Sequence, residues 1–292
     1  MLTALDPDDP WDDANCIYAI GCPSDRYVVN STGIPCASDN TFYYAAYKLG
    51  YDFEIFKMQW NDGSPGSWGA YSQLTELPND AWRVRRVAID HEDNPILLAF
   101  DEANTDSLEI MHYHNGTGIW DEILIPEGDI GDSSNIYGFA WNAYREEYVI
   151  AQRDSSVCNL LIVDDTGTLV DTISEIFSFA SGPIDWYPGL YIDPDASEKC
   201  HIIVFGKYTY NHPYPSPFVR FDANYEDTVT SEFGFGAHDP YHCPGPAYPN
   251  IWGGDCGVDA SSANKRLYFP GYDTTPGYHN KYIAYADLPG DW

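Results

Sequence analysis

Short apolar runs alternate with polar turns along almost the whole chain, and one arrangement of them recurs. An apolar strand ends in Asp, Asn or Gly, a polar turn follows, and a second strand of β-branched and aromatic residues returns. Val87-Ala88-Ile89-Asp90, a turn through His91 to Asn94, and Ile96 to Phe100 make one copy. Phe139 to Asn142 with Tyr148 to Ala151, Leu190 to Asp193 with His201 to Phe205, and Gly257 to Asp259 with Arg266 to Phe269 make three more. Tyr18 to Gly21 with Tyr27 to Val29 is read as the first copy. Runs of this length bounded by turn residues read as strands. Asp and Asn suit the turn because their side chains bond nearby backbone and tolerate tight conformations.

Each copy continues into a second hairpin. Leu108 to His114, tip Asn115-Gly116, and Trp120 to Ile125 is the clearest; Leu160 to Val163, tip Asp165-Thr166-Gly167, and Leu169 to Ile173 matches it. Phe53 to Trp60 with tip Asp62-Gly63, and Phe218 to Phe221 with a tip near Asn224, belong to the first and fourth copies. Gly after Asn or Asp between apolar runs is a hairpin signal. No amphipathic helix of three turns emerges. Each unit therefore reads as four antiparallel strands, here called a to d.

The anchors Gly21, Asp90, Asn142, Asp193 and Asp259 lie 69, 52, 51 and 66 residues apart. A four-stranded propeller blade takes about 40–50 residues, more with inserted loops. The pattern resembles a β-propeller over nearly the whole chain. It lacks the Gly-His…Trp-Asp signature of WD40 repeats and the Asp-box of sialidases, so no family follows from it. The resemblance implies an all-β domain spanning residues 1–292: a five-bladed propeller of four-stranded antiparallel blades, with six blades as the alternative because the first interval is long. The fifth unit stops after a third strand, Lys281 to Ala286. Met1 to Leu5 is expected to supply the fourth and close the ring, which removes exposed strand edges.

Composition adds three constraints. Apolar residues make up 44%, enough for a sizeable core, and the 24 Tyr and 9 Trp favour strands and binding surfaces alike. The net charge of −31 repels phosphate backbones and anionic lipid, which argues against nucleic-acid partners. No stretch approaches the ~20 apolar residues of a membrane helix, and Met1 to Trp11 carries no secretory signal pattern. The expected setting is extracellular or a virion surface, reached without a visible signal peptide. Of seven Cys, Cys22 with Cys36 and Cys243 with Cys256 each flank a Gly- or Pro-containing loop. Each pair is expected to form a disulfide, and buried reduced thiols are the alternative. Asn30-Ser31-Thr32 and Asn115-Gly116-Thr117 match the N-glycosylation triplet.

In a propeller the b–c and d–a connections share one face and the a–b turns lie on the other. The a–b turns here read as short and polar, the opposite connections as long and aromatic. The fourth and fifth units carry Tyr208, Tyr210, His212, Tyr241, Trp252, Tyr272 and Tyr278 there, among Asp, Asn and His. Aromatic planes beside hydrogen-bonding groups suit a sugar, with its apolar ring face and many hydroxyls. The alternative is that these rings pack the loops together. A binding or structural propeller is thus expected, non-enzymatic, with a glycan or a neighbouring protein subunit as partner. A glycan-active enzyme is the competing reading: glycoside cleavage needs two carboxylates about 5–10 Å apart, and Asp13, Asp185, Asp239 and Asp255 are its candidates. No cofactor motif is present. Calcium is compatible with the abundant Asp, but no Asp-x-Asp-x-Asp-Gly loop occurs. His238, Asp239, His242 and Cys243 do not match a zinc spacing. His112 and His114 alternate on one strand face, as a metal pair or a solvent-facing one.

Overall fold

The computed structural model describes residues 22–29, 34–48, 52–61, 67–78, 82–101, 108–126, 130, 135–178, 186–192, 202–208, 216–226, 229–233, 250–251, 257–259, 266–272 and 281–287. Packing divides the chain into two compact units, 1–124 and 125–292. All regular structure among the described residues is β, in five successive antiparallel sheets.

The first unit holds two sheets. In the first sheet β1 (Arg26–Val28), β2 (Thr41–Lys48) and β3 (Asp52–Asn61) pair in chain order, and both β4 (Ser67–Trp68) and β5 (Ser72–Gln73) pair with β3. Here the structure departs from the sequence reading. Tyr27 lies in β1 and pairs with the unexpected strand Thr41–Lys48, while Tyr18 to Gly21, with its anchor Gly21, lies outside the described residues. The described strands of the long first interval, apart from Trp82–Ile89 of the next sheet, all belong to this one sheet. The second sheet is β6 (Trp82–Ile89), β7 (Pro95–Asp101), β8 (Leu108–His114) and β9 (Ile119–Ile125), as the two-hairpin pattern predicts. Val84, Val87, Leu97, Ala99, Met111, Tyr113 and Trp120 from this sheet pack on Tyr43, Ala45, Ile55, Leu74 and Leu77. A fully buried Leu, Val or Met contributes about 1.5–3 kcal/mol, so this shared core holds the two sheets face to face.

The second unit repeats the plan. β10 (Ile136–Asn142), β11 (Glu147–Asp154), β12 (Val157–Val163) and β13 (Leu169–Ser178) form the third sheet; β14 (Trp186–Ile192), β15 (Ile202–Tyr208), β16 (Ser216–Phe221) and β17 (Val229–Phe233) form the fourth. Val149, Ala151, Leu160 and Ile162 face Leu190, Ile192, Val204 and Val219 across their common core. The first strands come closest where β10 carries Gly138: a Cβ there would stand 2.6 Å from the Leu190 Cβ and 3.0 Å from that of Ala151. Glycine is needed for this approach of backbone to backbone. In the fifth sheet β18 (Asn250–Ile251) and β19 (Gly257–Asp259) both pair with β20 (Arg266–Tyr272), and β21 (Lys281–Asp287) pairs on its other side. The sheet thus has an interrupted first strand and two more. Met1 to Leu5, the expected closing strand, lies outside the described residues.

The anchors sit where the repeat puts them. Asp90 directly follows β6, Asn142 ends β10 and Asp259 ends β19; Asp193 lies outside the described residues.

Candidate functional site

Most of the aromatic cluster falls on connections outside the described residues: Tyr210, His212, Tyr241, Trp252 and Tyr278. So do Asp13, Asp185, Asp239, Asp255, His238, His242, Cys243 and Cys256. Tyr208 and Tyr272 are placed by their backbones. Each is the last residue of the second strand of its sheet, Tyr208 in β15 and Tyr272 in β20, so the two open equivalent connections. Register sets Trp186 opposite Tyr208, and Asn250 and Lys281 on either side of Tyr272. Trp186 therefore belongs to the same sheet end as Tyr208. Strands β15 and β18 approach each other, so these two sheet ends are neighbours within the second unit.

The longest connection on this face, sixteen residues, lies in this region. Seven residues separate β15 from β16, sixteen β17 from β18 and eight β20 from β21. On the same face elsewhere three separate β2 from β3, two β11 from β12, six β7 from β8, seven β13 from β14, eight β5 from β6 and ten β9 from β10, while twelve lie between β1 and β2 on the other face. The d–a connections are long throughout, as expected, and the short ones on this face are the b–c connections β2–β3 and β11–β12.

The short-turn face carries a different chemistry. Asp90 is buried, and its Oδ1 accepts the Glu92 and Asn94 amides, both at 2.8 Å. Its Oδ2 accepts from Asn94 Nδ2 at 2.9 Å and His112 Nε2 at 2.7 Å. Burial pushes this carboxyl upward, but the bonds from His112, Asn94 and the Asn94 and Glu92 amides outweigh it and hold the acid below its usual range. His114 stacks on His112 with ring centroids 4.9 Å apart, and its Nε2 meets Asp121 Oδ2 at 2.8 Å. The two histidines do share a face, each oriented by its own carboxylate. Among the described residues no group of three or more His, Cys, Asp or Glu is placed to hold a metal. Asn115 donates its amide to Asn94 Oδ1 at 3.0 Å and its side-chain nitrogen to the Asp93 carbonyl at 2.9 Å and the Tyr43 hydroxyl at 3.2 Å. The nitrogen of this glycosylation triplet is thus engaged inward.

In the second unit Asn142 Nδ2 donates to the Ala223 carbonyl at 2.9 Å and the Tyr225 hydroxyl at 3.1 Å. Tyr225 in turn donates to Glu147 Oε2 at 2.9 Å, and Arg145 grips the same carboxylate with two bonds of 3.1 and 3.2 Å. Burial drives the Tyr225 phenol well above its usual value. This chain of bonds ties the β10–β11 turn to the β16–β17 turn.

Two further groups bear on the competing readings. Glu109 and Glu122, on adjacent strands, share a hydrogen bond; burial first, then this bond and the neighbouring charge, push Glu109 to about 7. A hydrogen-bonded pair is closer than the separation glycoside cleavage uses. The expected Cys22–Cys36 disulfide is not formed. Cys22 Sγ donates to the Arg26 carbonyl at 3.2 Å, Cys36 Sγ to the Ala37 carbonyl at 3.4 Å, and both are free thiols. Cys36 is held by its bridge to Phe42 and Cys22 by the turn into β1, so each sulfur is directed at its own backbone.

No family model matches the chain, and no curated protein matches it in sequence. Solved structures do. A Trypanosoma rangeli sialidase aligns with a TM-score of 0.56 at 10% identity, over 91% of this chain and 46% of its own. A beta 1,3 galactosidase aligns at 0.50 and 7%, over 88% and 56%. The Dos1 propeller aligns at 0.42 and 10%, over 90% and 61%. The chain thus spans about half the length of the sialidase and the galactosidase. Five successive antiparallel sheets, the first of five strands and the others of four, together with the likeness to the sialidase and the galactosidase, define the class: the fold is a β-propeller.

Proposed function

We propose that this propeller is a non-enzymatic binding module that takes a carbohydrate on the long-connection face of its fourth and fifth sheets, in an extracellular or virion-surface setting. The observation that carries the reading is the equivalent placement of Tyr208 and Tyr272. Each opens a connection that carries Tyr, His and Asn, and Trp186 lies across from Tyr208. The other sheets pass the same point with Asp101 and Asp154, at connections of six and two residues. A stacked aromatic contributes about 0.5–1.5 kcal/mol beyond area burial. Several together give useful affinity, more so if copies are displayed multivalently.

Trp252→Ala and Tyr210→Ala, compared with the unmodified protein on a glycan array at equal thermal stability, test it. Binding is expected to fall at least tenfold; unaltered binding refutes the location. Binding to no glycan, with assembly of a larger particle lost in the double variant, would instead assign the loops to a neighbouring protein subunit.

A glycan-active enzyme is the second reading. It is favoured by the likeness to a sialidase and a galactosidase and uses Asp13, Asp185, Asp239 or Asp255. Turnover on a polysaccharide panel, abolished by one Asp→Asn change, would replace the first reading with it.

A further inference from the structure

The first and second sheets are joined at their turns by a small polar network around Asn115. Asp93, in the turn from β6 to β7, accepts the Ser38 amide on Oδ1 at 2.9 Å and the Ser38 hydroxyl on Oδ2. Asn115, in the turn from β8 to β9, is pinned at both backbone and side chain. Its backbone amide donates to Asn94 Oδ1 at 3.0 Å. Its side-chain nitrogen donates to the Asp93 carbonyl at 2.9 Å and to the Tyr43 hydroxyl of β2 at 3.2 Å. Asn115 is nevertheless exposed, as are Gly116 and Thr117. The Thr117 and Gly118 amides both bond the His114 carbonyl, and the Gly116 amide takes no part in these bonds. A Cβ added at Gly116 would meet nothing within 4 Å. This is the single Asn-Gly pair of the chain, and glycine is the residue that puts no side chain beside its own backbone nitrogen.

We propose that Asn115-Gly116 is a self-modification site: a deamidation centre that the joint between the two sheets holds unreactive and that reacts when the joint opens. The Gly116 backbone nitrogen, on losing its proton to solvent, attacks Asn115 Cγ. A C–N bond closes a five-membered succinimide ring, the bond from Cγ to Nδ2 breaks, and that nitrogen takes up protons and leaves as ammonia. Water then opens the ring at either carbonyl, leaving aspartate or isoaspartate at the same position. Nothing is oxidised or reduced, and water is the only co-reactant. In the closed joint the departing nitrogen is the one held by Asp93 and Tyr43, so swinging Cγ toward Gly116 breaks both bonds. The product is a carboxylate, which accepts only. It cannot donate to the Asp93 carbonyl, and it adds a negative charge beside Asp93 in a chain already at −31. The joint does not re-form as before, so its opening is recorded permanently. The site is independent of the aromatic connections.

Peptide mass spectrometry of the full chain aged in mildly alkaline buffer, with isoaspartate counted by enzymatic methylation, tests the site. Conversion at Asn115 should be roughly tenfold slower in native buffer than in urea, because the folded joint is open only part of the time. Tyr43→Phe, which keeps the ring in the core and removes the hydroxyl, should speed native conversion severalfold. Ser38→Ala, one bond further out, should speed it less. Asn142→Ala destabilises the other unit and should leave the rate unchanged, which separates opening of this joint from general loss of stability. Gly116→Ala should slow conversion roughly tenfold in both buffers by crowding the attacking nitrogen. Once converted, the protein should exchange amide hydrogens faster in β2 and in the β6–β7 turn. If Tyr43→Phe does not fold, Ser38→Ala decides. Equal rates in native buffer and urea, no acceleration in the folded joint variants, undiminished conversion in Gly116→Ala, or unchanged exchange after conversion overturns the proposal.

Discussion

Asp90 and Asn142 occupy the same place in the repeat, closing the first strand of the second and third sheets, and each accepts a turn amide, yet only Asn142 also reaches the next sheet. Asp90 turns inward on its own sheet: it closes the Asp90–Asn94 turn and orients His112 on β8. Asn142 reaches out of its sheet to the Ala223 carbonyl and the Tyr225 hydroxyl, in the turn of the next sheet. A carboxylate accepts only, and can gather amides around one turn. A carboxamide donates as well, and can satisfy a neighbour's carbonyl and hydroxyl. One repeat position can therefore close its turn alone or join the next sheet as well, and the side chain's donor inventory decides which.

The largest expected effect breaks the joining role. Asn142→Ala removes both donors from a fully buried site and leaves the Ala223 carbonyl without that partner. The expected loss is about 3 kcal/mol. Urea denaturation measures it, and hydrogen exchange should show faster opening of β16 and β17. A loss below about 1 kcal/mol would mean that the inter-sheet bonds are incidental.

Next comes the turn-closing role, about 2 kcal/mol for Asp90→Ala. The same turn recurs at Asp164–Thr168 and Asp222–Glu226. In each the first Asp accepts the amides two and four residues on, and the fourth residue has positive φ: Asp93 at 64°, Gly167 at 87°, Tyr225 at 64°. Asp164 and Asp222 are more exposed, and among the described residues neither bonds a third strand, so their Ala variants should cost under about 1 kcal/mol. Equal losses at all three would show that His112 adds nothing. The pH dependence follows from the lowered Asp90 value: its contribution is present above the unfolded carboxyl range and is lost as pH falls through the folded value.

Much of this was legible in the sequence because strand ends carry turn chemistry. Asp90, Asn142 and Asp259 were found from it, and the hairpins of the second, third and fourth sheets follow it closely. Strand β2 was not found. Thr41–Lys48 is buried on both faces over most of its length, so it has no alternation, and no Asn-Gly or Asp-Gly precedes it. The joining bonds could not be found either, since Asn142 and Tyr225 are 83 residues apart in sequence. Nor could the bulge at Arg85 of β6, a matter of register rather than composition. The aromatic loops were legible as composition only.

A smaller effect, on the order of 1 kcal/mol, sets the second sheet against itself. Glu109, raised to about 7 by burial and by Glu122, binds its proton more tightly folded than unfolded. Its contribution is full below the unfolded value near 4.5, declines as pH rises to about 7, and is gone above that. Asp90 works in the opposite direction at lower pH. Melting temperature should therefore fall between pH 4.5 and 7, and Glu109→Gln should flatten that part of the profile. An unchanged slope in the variant would remove Glu109 as its cause.

The smallest effect lies in the turn beside Asp90. The Asn115-Gly116 tip predicts positive φ at a two-residue turn, but the connection is four residues long, Asn115 to Gly118. The Thr117 and Gly118 amides both bond the His114 carbonyl, and the positive φ, 72°, falls at Gly118. Asn115 is held by Asn94, Asp93 and Tyr43, so the chain reverses two residues later, where Gly118 also accepts the Thr75 hydroxyl at 2.7 Å. Gly118→Ala should therefore cost about 1 kcal/mol for the left-handed conformation. Gly116→Ala, with nothing within 4 Å of the added Cβ, should be neutral or stabilise by about 0.4–1 kcal/mol through the unfolded chain. Chemical denaturation of the two variants side by side measures the difference. A larger loss at Gly116 than at Gly118 would place the reversal at the Asn-Gly tip and detach this turn from the Asp90 network.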